Sequence, residues 1–337
     1  MTTSVPTMPA EWEPHQRTFM AWPCRDKLWG SAPAAERARL AYAAVARAIA
    51  RFEPVTMLAR PEHAGAATVI CGAGVTVIAH EIDDSWMRDT GPTFVRDGQG
   101  GLAGVQWRFN GWGGKYVPHD KDAGIATALL RDMGLACHAA PLVAEGGALH
   151  VDGAGTLITT EQCLLNPNRN PGMSRIDVEG VLKNMLGVRK VIWLEQGLAG
   201  DETDGHIDNV VCFAAPGRVI LQGCDDPADA NYAIVADNRA RLKAERDARV
   251  MPLEIMELPA PRTRMDDRGN RLTLSYVNFY LANGGLIMPA FDDPADAPAR
   301  QLLAAAFPGR EVVQLPALDI VQGGGGIHCI TQQMPAA

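Results

Sequence analysis

The chain has 337 residues, 47% of them hydrophobic and 21% charged, with 34 glycines and 23 prolines, the composition of an ordinary globular protein with ample core. Its net charge of −8 argues against a nucleic-acid partner, whose phosphates need a basic face, and leaves a small cationic ligand open. No run of eighteen apolar residues occurs, so no membrane span and no membrane partner are expected.

Met1 to Pro23 mixes Glu11, Glu13, His15 and Arg17 with aromatics. It lacks the basic start, apolar block and cleavage site of an export signal, so the expected location is the cytoplasm. The seven cysteines, at 24, 71, 137, 163, 212, 224 and 329, are scattered and form no Cys-x-x-Cys pair. Reduced thiols are expected.

Further along, one pattern repeats. Gly155-Thr-Leu-Ile-Thr, Gly217-Arg-Val-Ile-Leu and Gly284-Gly-Leu-Ile-Met each lead into a turn, and the last two are followed by the same Asp-Asp-Pro-Ala-Asp. Apolar residues at helical spacing then predict helices over 175–186, 232–247 and 297–307. Strands follow at 189–194, 250–258 and 310–315, giving units ordered strand, strand, helix, strand. A unit of about sixty residues fits five times into the chain.

The first strand of each unit is expected just upstream of its glycine, and polar residues gather there. The segments are Trp86-Met-Arg-Asp89, Glu145-Gly-Gly-Ala-Leu-His, Asp204-Gly-His206-Ile-Asp208-Asn, Leu274 to Phe279 around Asn278, and Gly326-Ile-His-Cys329. One polar group delivered at a comparable place in each unit implies a closed ring of repeats around one central site. In the last segment, Gly323-Gly-Gly-Gly326 ahead of Cys329 reads as a backbone that something approaches closely, with a thiol presented at the floor of a pocket.

Several longer motifs stand in order: Met8-Pro-Ala-Glu-Trp-Glu-Pro-His15, Asp84-Ser-Trp-Met-Arg-Asp-Thr-Gly-Pro92, Glu161-Gln-Cys-Leu-Leu-Asn-Pro-Asn-Arg-Asn-Pro171, Asp204-Gly-His-Ile-Asp-Asn209, and Gly324-Gly-Gly-Ile-His-Cys-Ile-Thr-Gln-Gln333. Together they resemble the agmatine deiminase family of the guanidine-modifying penteins. The resemblance implies an α/β fold, a five-bladed α/β propeller, and hydrolysis of agmatine to N-carbamoylputrescine and ammonia without metal or organic cofactor, a step toward putrescine and the polyamines. It also implies a homodimer, since the family is commonly dimeric. One domain is expected over 1–337, with Met1–Thr7 and Met334–Ala337 as loose ends.

A guanidinium is planar, permanently charged and a poor electrophile, so carboxylates must hold it beside a strong nucleophile. Asp89 and Asp208 are the expected anchors and Cys329 the nucleophile, forming a covalent amidino-thioether. His206 would carry the protons and Glu145 would orient it. Two apart on a strand, His206 and Asp208 would face one way, whereas His328, adjacent to Cys329, would be turned away from the site and ranks second to His206. A metal site of His206, Asp208 and Glu145 is the competing use of these residues; the thiol in its glycine run weighs against it. Three carboxylates near Cys329 should keep its thiol protonated in the free enzyme.

Trp86 and Trp112 are candidate walls for the substrate's methylene chain, and either could instead be core. Asn278 is a further candidate for substrate contact. A pocket for free arginine would need a basic partner for the carboxylate, for which Arg108 is the candidate. The alternatives are therefore a deiminase of another guanidine and, from a different class, a non-catalytic propeller that only binds.

Overall fold

Strand, strand, helix, strand is the unit that the computed structural model repeats; it describes residues 5–98 and 100–336. In each unit two strands form an antiparallel hairpin, a helix crosses over, and the third strand returns parallel to the second. The first unit comprises Thr93–Arg96, Leu102–Arg108 and Ala136–Val143, with the helix Ile125–Asp132. The second comprises His150–Val151, Thr156–Thr160 and Lys190–Leu194, with Arg175–Leu186 as its main helix. Val211–Ala215, Arg218–Gln222 and Glu254–Leu258 with the helix Asn231–Ala244 form the third, and Tyr280–Ala282, Gly285–Ala290 and Glu311–Pro316 with Asp296–Ala306 the fourth.

The fifth unit is assembled from both ends of the described chain. Thr331–Pro335 pairs antiparallel with His15–Ala21, which pairs parallel with Val55–Ala59 across the helix Ala32–Ile49. A fourth strand, Val75–Ala79, extends this sheet. Met334 and Pro335 are thus ladder residues rather than loose ends, and Thr7 bridges to Arg96; Met1–Ser4 and Ala337 lie outside the described residues.

Glycine marks the hairpins because their tight turns need a positive φ: Gly217 and Gly284 stand at +80° and +79°. The helix Arg175–Leu186 starts on a capping box from Ser174 and Asp177 and stops on left-handed Gly187. The long helix Ala32–Ile49 buries Ala34, Ala35, Ala38, Tyr42, Ala43, Val45, Ala46, Ala48 and Ile49, a stripe that widens in its last two turns. Its alanines carry little bulk on that face, and its stripe joins the largest core cluster with Trp22, Trp86 and Tyr276. Among the described residues no helix is long and apolar enough to cross a membrane.

The segments expected to be first strands are instead tight turns. Met87–Thr90, Gly146–Ala148 and Ile207–Asn209 are single helical turns, and the ladders begin only after them, at 93, 150 and 211. Asn278 and Cys329 likewise precede strands that start at 280 and 331. A turn satisfies its own backbone, as Ala148 N–H does on Glu145 O and Val210 N–H on Ile207 O. Its successive side chains need not alternate across a sheet.

Hydrogen bonds between neighbouring turns run all the way round. Gly147 N–H donates to Asp89 Oδ1 (2.9 Å), His206 Nε2 faces Glu145 Oε2 (3.4 Å), and Asn278 Nδ2 donates to Asn209 Oδ1 (3.0 Å) and Cys329 Sγ (3.2 Å). Arg88 N–H then donates to Cys329 O (3.1 Å), which returns to the first unit.

Outside the hub, the seam between the fourth and fifth units is closed by buried Glu53. Its carboxylate accepts from Thr18 Oγ1 (2.5 Å), Tyr280 OH (3.0 Å) and Asn283 N–H (2.7 Å), and lies 3.1 Å from His15 Nδ1. Burial alone would raise this carboxyl, but the bonds from His15, Thr18 and Asn283 prevail and hold it below the usual glutamate range. Glu53→Ala leaves those donors without an acceptor and should lower urea-unfolding stability by about 3 kcal/mol or more. Because the folded carboxyl titrates lower than the unfolded one, the wild-type advantage is complete above the ordinary glutamate pKa of about 4.3 and disappears as pH falls through the folded value. The gap between the urea midpoints of the two proteins should therefore stay constant from pH 7 to about pH 5 and narrow only below about pH 4.3.

Candidate active site

Cys329 is buried, and its Sγ lies 3.4 Å from Asp208 Oδ2 and 3.2 Å from Asn278 Nδ2. The glycine run ahead of it is approached closely, but mostly by the protein itself. A methyl group on Gly323 would meet Trp29, on Gly325 Trp86, and on Gly326 the Asn278 amide. Close packing against three side chains is what fixes the turn that carries the sulfur.

Glu145 and His206 come together as expected, at 3.4 Å, and both are completely buried. Two further residues join them. Arg169 donates from Nε to Glu145 Oε1 (2.7 Å), and Cys163 Sγ lies 3.8 Å from Glu145 Oε2. Burial favours the neutral Glu145, yet His206 and Arg169 outweigh it and keep the carboxyl ionised below its usual range. Burial likewise disfavours a charged imidazole, and the Asp89 and Glu145 carboxylates overcome this, so His206 titrates well above an ordinary histidine.

Asp89 is no surface partner of Arg88. Its Oδ1 accepts from Gly147 N–H and its Oδ2 from the Trp112 indole N–H, both at 2.9 Å, while Arg88 is buried against Glu11. A Cβ on Gly147 would lie 2.6 Å from His206 Nδ1, 2.9 Å from Asp89 Oδ1 and 3.0 Å from Asp208 Oδ2. Three polar groups from separate turns thus converge on one glycine. Two of their neighbouring atoms, His206 Nδ1 and Asp208 Oδ1, are buried with no hydrogen-bond partner. Each such atom costs about 1–3 kcal/mol, a penalty that a guanidine with both donors and π faces would relieve.

His206 and Asp208 do share the site, although the reason expected from a strand does not hold on a helical turn. The same applies to His328. Like those of His206 and Asp208, its side chain is absent from the walls of the cavity beside Cys329, yet it is not turned away, since Nδ1 lies 2.9 Å from Asp208 Oδ2.

That cavity is open to solvent and is lined by Asp84, Trp86, Asp89, Trp112, Tyr116, Glu202, Thr203, Gly323, Gly324, Gly325 and Cys329. Both tryptophans are wall residues and both are buried. Trp112 adopts φ +55°, a left-handed conformation costly for so bulky a residue, and so brings its N–H to Asp89. Asn278 does not line the cavity. Its amide is engaged by Cys329, Asn209 and the His328 N–H, so it touches the sulfur rather than the substrate space. Arg108 is exposed and absent from the walls; it is not placed to meet a carboxylate there. Tyr116 donates to Glu202, and Asp84 pairs with Arg25 at 2.8 Å while burial raises its carboxyl to about 6.

The metal-type grouping is Glu145, Cys163 and His206, with ligand atoms within 4.8 Å of one another, rather than the expected set containing Asp208. Arg169 already neutralises Glu145, which opposes a second cation at that point.

Sequence reasoning gave no role to Arg169, Glu11, Cys163, Tyr116 or Glu202. Arg169 and Glu11 stand inside quoted motifs, and an arginine or glutamate in an otherwise apolar or turn-forming motif was the available signal.

Burial, followed by the charges of Asp208 and Asp89, pushes the Cys329 thiol well above its ordinary range. Ultraviolet thiolate titration of the ligand-free protein, with Cys329→Ala as reference, should place this thiol above the ordinary cysteine value of about 8.5. A lower value would mean that His206 and Cys329 form a standing ion pair.

The family model for Porphyromonas-type peptidyl-arginine deiminases matches residues 7–335. The chain is 46% identical to the agmatine deiminase of Stutzerimonas stutzeri, covering 98% of this chain and 95% of that one, and 45% identical to that of Pseudomonas aeruginosa with the same coverage. Its fold superposes on the structure of the Enterococcus faecalis agmatine deiminase with a TM-score of 0.93 at 34% identity, over 99% and 98% of the two chains. Relatives of this kind set aside a propeller that only binds, and the five-bladed α/β arrangement is the pentein fold. On its sequence and its fold, the chain belongs to the Porphyromonas-type peptidyl-arginine deiminase family of guanidine-modifying enzymes.

Proposed function

We propose that the chain is an agmatine deiminase, hydrolysing agmatine to N-carbamoylputrescine and ammonia in the cytoplasm. One observation carries the choice of substrate. The cavity above Cys329 has aromatic walls and carries Asp84, Asp89 and Glu202, and no lysine or arginine lines it. Such a wall suits a guanidinium joined by methylenes to a second cation, and offers nothing to an α-carboxylate. Asp89 and Asp208 hold the guanidinium, and exposed Glu202, braced by Tyr116, receives the amine.

Binding a cation beside Cys329 offsets the carboxylates that keep its thiol neutral, and the sulfur loses its proton to solvent. The thiolate attacks the guanidinium carbon. His206 donates its proton from Nδ1, which has no hydrogen-bond partner and lies 3.8 Å from Asp89 Oδ1, to a terminal nitrogen, and ammonia leaves an amidinium thioether. Neutral His206, still held by Glu145, then takes a proton from water as the oxygen bonds to carbon. Collapse of that adduct breaks the C–S bond, returns the sulfur, and releases the urea product, whose excess proton returns to sulfur or solvent.

A second reading rests on the broad outer depression into which the cavity opens. Arg25, Lys27, Arg268 and Arg271 lie on its rim beside Tyr116 and Glu202, and these cations could meet the carboxylate of an arginine at a peptide terminus.

Ammonia release from agmatine, free arginine and an arginine-terminated peptide decides between them. Agmatine should lead in kcat/KM by about 100-fold or more, a difference of roughly 2.7 kcal/mol, and Cys329→Ala should abolish turnover. Preference for the peptide would establish the second reading. Within the agmatine reading, Glu202→Gln should raise KM for agmatine about tenfold with little change in kcat, since the amine is bound alike in the ground and transition states. A fall in kcat at constant KM would remove Glu202 from that role.

A further inference from the structure

Behind Asp208 lies a second glutamate–histidine pair that the mechanism above does not use. His328 Nδ1 is 2.9 Å from Asp208 Oδ2, and its Nε2 is 2.9 Å from Glu11 Oε1 and 3.1 Å from Oε2. All three side chains are buried. We propose that Glu11 and His328 are positioning residues for Asp208: His328 stands as an imidazolium between two carboxylates and keeps Asp208 ionised, with Oδ2 tethered and Oδ1 free. The role of Asp208 as guanidinium anchor is taken from the preceding reading.

The geometry sets the protonation state. Neutral imidazole has one N–H, whereas carboxylates at hydrogen-bond distance on both ring nitrogens require two donors. His206 is the contrast, with Glu145 at Nε2 and nothing bonded to Nδ1. One histidine keeps a nitrogen available for chemistry. The other has none to spare.

Arg88, from the turn Met87–Thr90, donates from Nη1 to Glu11 Oε1 (3.2 Å) and from Nε to the His328 carbonyl (3.5 Å). His150 stacks on His328 with ring centroids 6.4 Å apart and places Nε2 3.7 Å from Glu11 Oε2. Cys212 shares the small cavity behind Asp208, and Cys329 is the chain neighbour. Arg88, Glu11, His328 and Asp208 therefore alternate in sign in one buried line whose negative end lies 3.4 Å from the nucleophile.

The consequence concerns Asp208. Burial pushes its carboxyl up, and the bond and charge of His328 reverse this, holding it below the ordinary aspartate range. Without the imidazolium, burial and the nearby carboxylates act unopposed by their main counterweight. Asp208 would then take up a proton at neutral pH and cease to pair with a guanidinium. The sign is fixed: a carboxyl that is depressed in the wild type and raised in the variant loses activity at low pH and recovers it as pH rises.

Two measurements test this, one needing no substrate. In ¹⁵N-histidine spectra of the ligand-free protein at pH 8, assigned with His328→Asn, both ring nitrogens of His328 should show the protonated shift. A single neutral tautomer overturns the proposal. The second is the pH profile of kcat/KM for agmatine in the wild type, His328→Asn and Glu11→Gln, with each variant's melting temperature recorded. The acid limb should move up by a unit or more, which is a loss of at least tenfold below it, carried by KM and recovered toward pH 9. A variant that melts as the wild type does and keeps the wild-type limb overturns the proposal. If neither variant folds, the spectrum of the wild type decides. If the wild type turns over no agmatine, the substrate reading fails by itself, and the spectrum still decides the state of His328.

Discussion

A carboxylate taken out of water must be met by cations or strong donors, and the hub of this ring buries four of them: Glu11, Asp89, Glu145 and Asp208. Leaving even one uncompensated would cost several kcal/mol, a large share of the stability of an ordinary domain. Compensation explains most of what surrounds the site. Arg88 and His328 answer Glu11, Arg169 and His206 answer Glu145, the Gly147 and Trp112 N–H groups answer Asp89, and His328 answers Asp208. Only Oδ1 of Asp208 is left without a protein partner among these oxygens, and it stands where a cationic substrate would complete the balance.

That balance also divides two chemically similar histidines between two tasks. Both are buried, both face a glutamate and an aspartate, and both are pushed toward the imidazolium by those carboxylates against the effect of burial. What separates them is hydrogen-bond occupancy at Nδ1. A side chain with both nitrogens committed is a structural charge, and one with a nitrogen unclaimed is a proton carrier. Arg169 extends the arrangement outward, since it also donates to Asp204 Oδ2 and the Thr203 carbonyl, and Asp204 binds Lys115 of the loop that carries Trp112. The orienting glutamate and the cavity wall are thereby braced by the same guanidinium.

Much of this was readable before any coordinates. Hairpin glycines at 155, 217 and 284 announced the repeat because only glycine readily takes the turn's positive φ, and the helix over 175–186 was bounded to the residue by its apolar spacing. Asp89, Glu145, His206 and Cys329 followed from one polar group per unit, and Asp208 from its place two residues after His206. What periodicity could not convey was that these groups ride on turns rather than strands. A four-residue turn is too short to display a period, and its backbone bonds are local. For that reason the facing argument for His328 failed, and Asn278 was sent to the substrate when its amide is held by the sulfur and the backbone. For Arg169 and Glu11 the motif marks the residue but not its role: in an ion pair between residues 24 and 77 positions apart, local pattern does not name the partner.

Ring closure by the strand Thr331–Pro335 carries a consequence for biogenesis. The strand that completes the ring begins two residues after Cys329, so synthesis delivers the sulfur and the closing strand together, after every other strand. A chain truncated before residue 329 lacks the sulfur and cannot form the amidino thioether, whatever else of the hub it assembles. Pairing of Thr331–Pro335 with His15–Ala21 thus ties closure of the ring and placement of the thiol to one short stretch of chain.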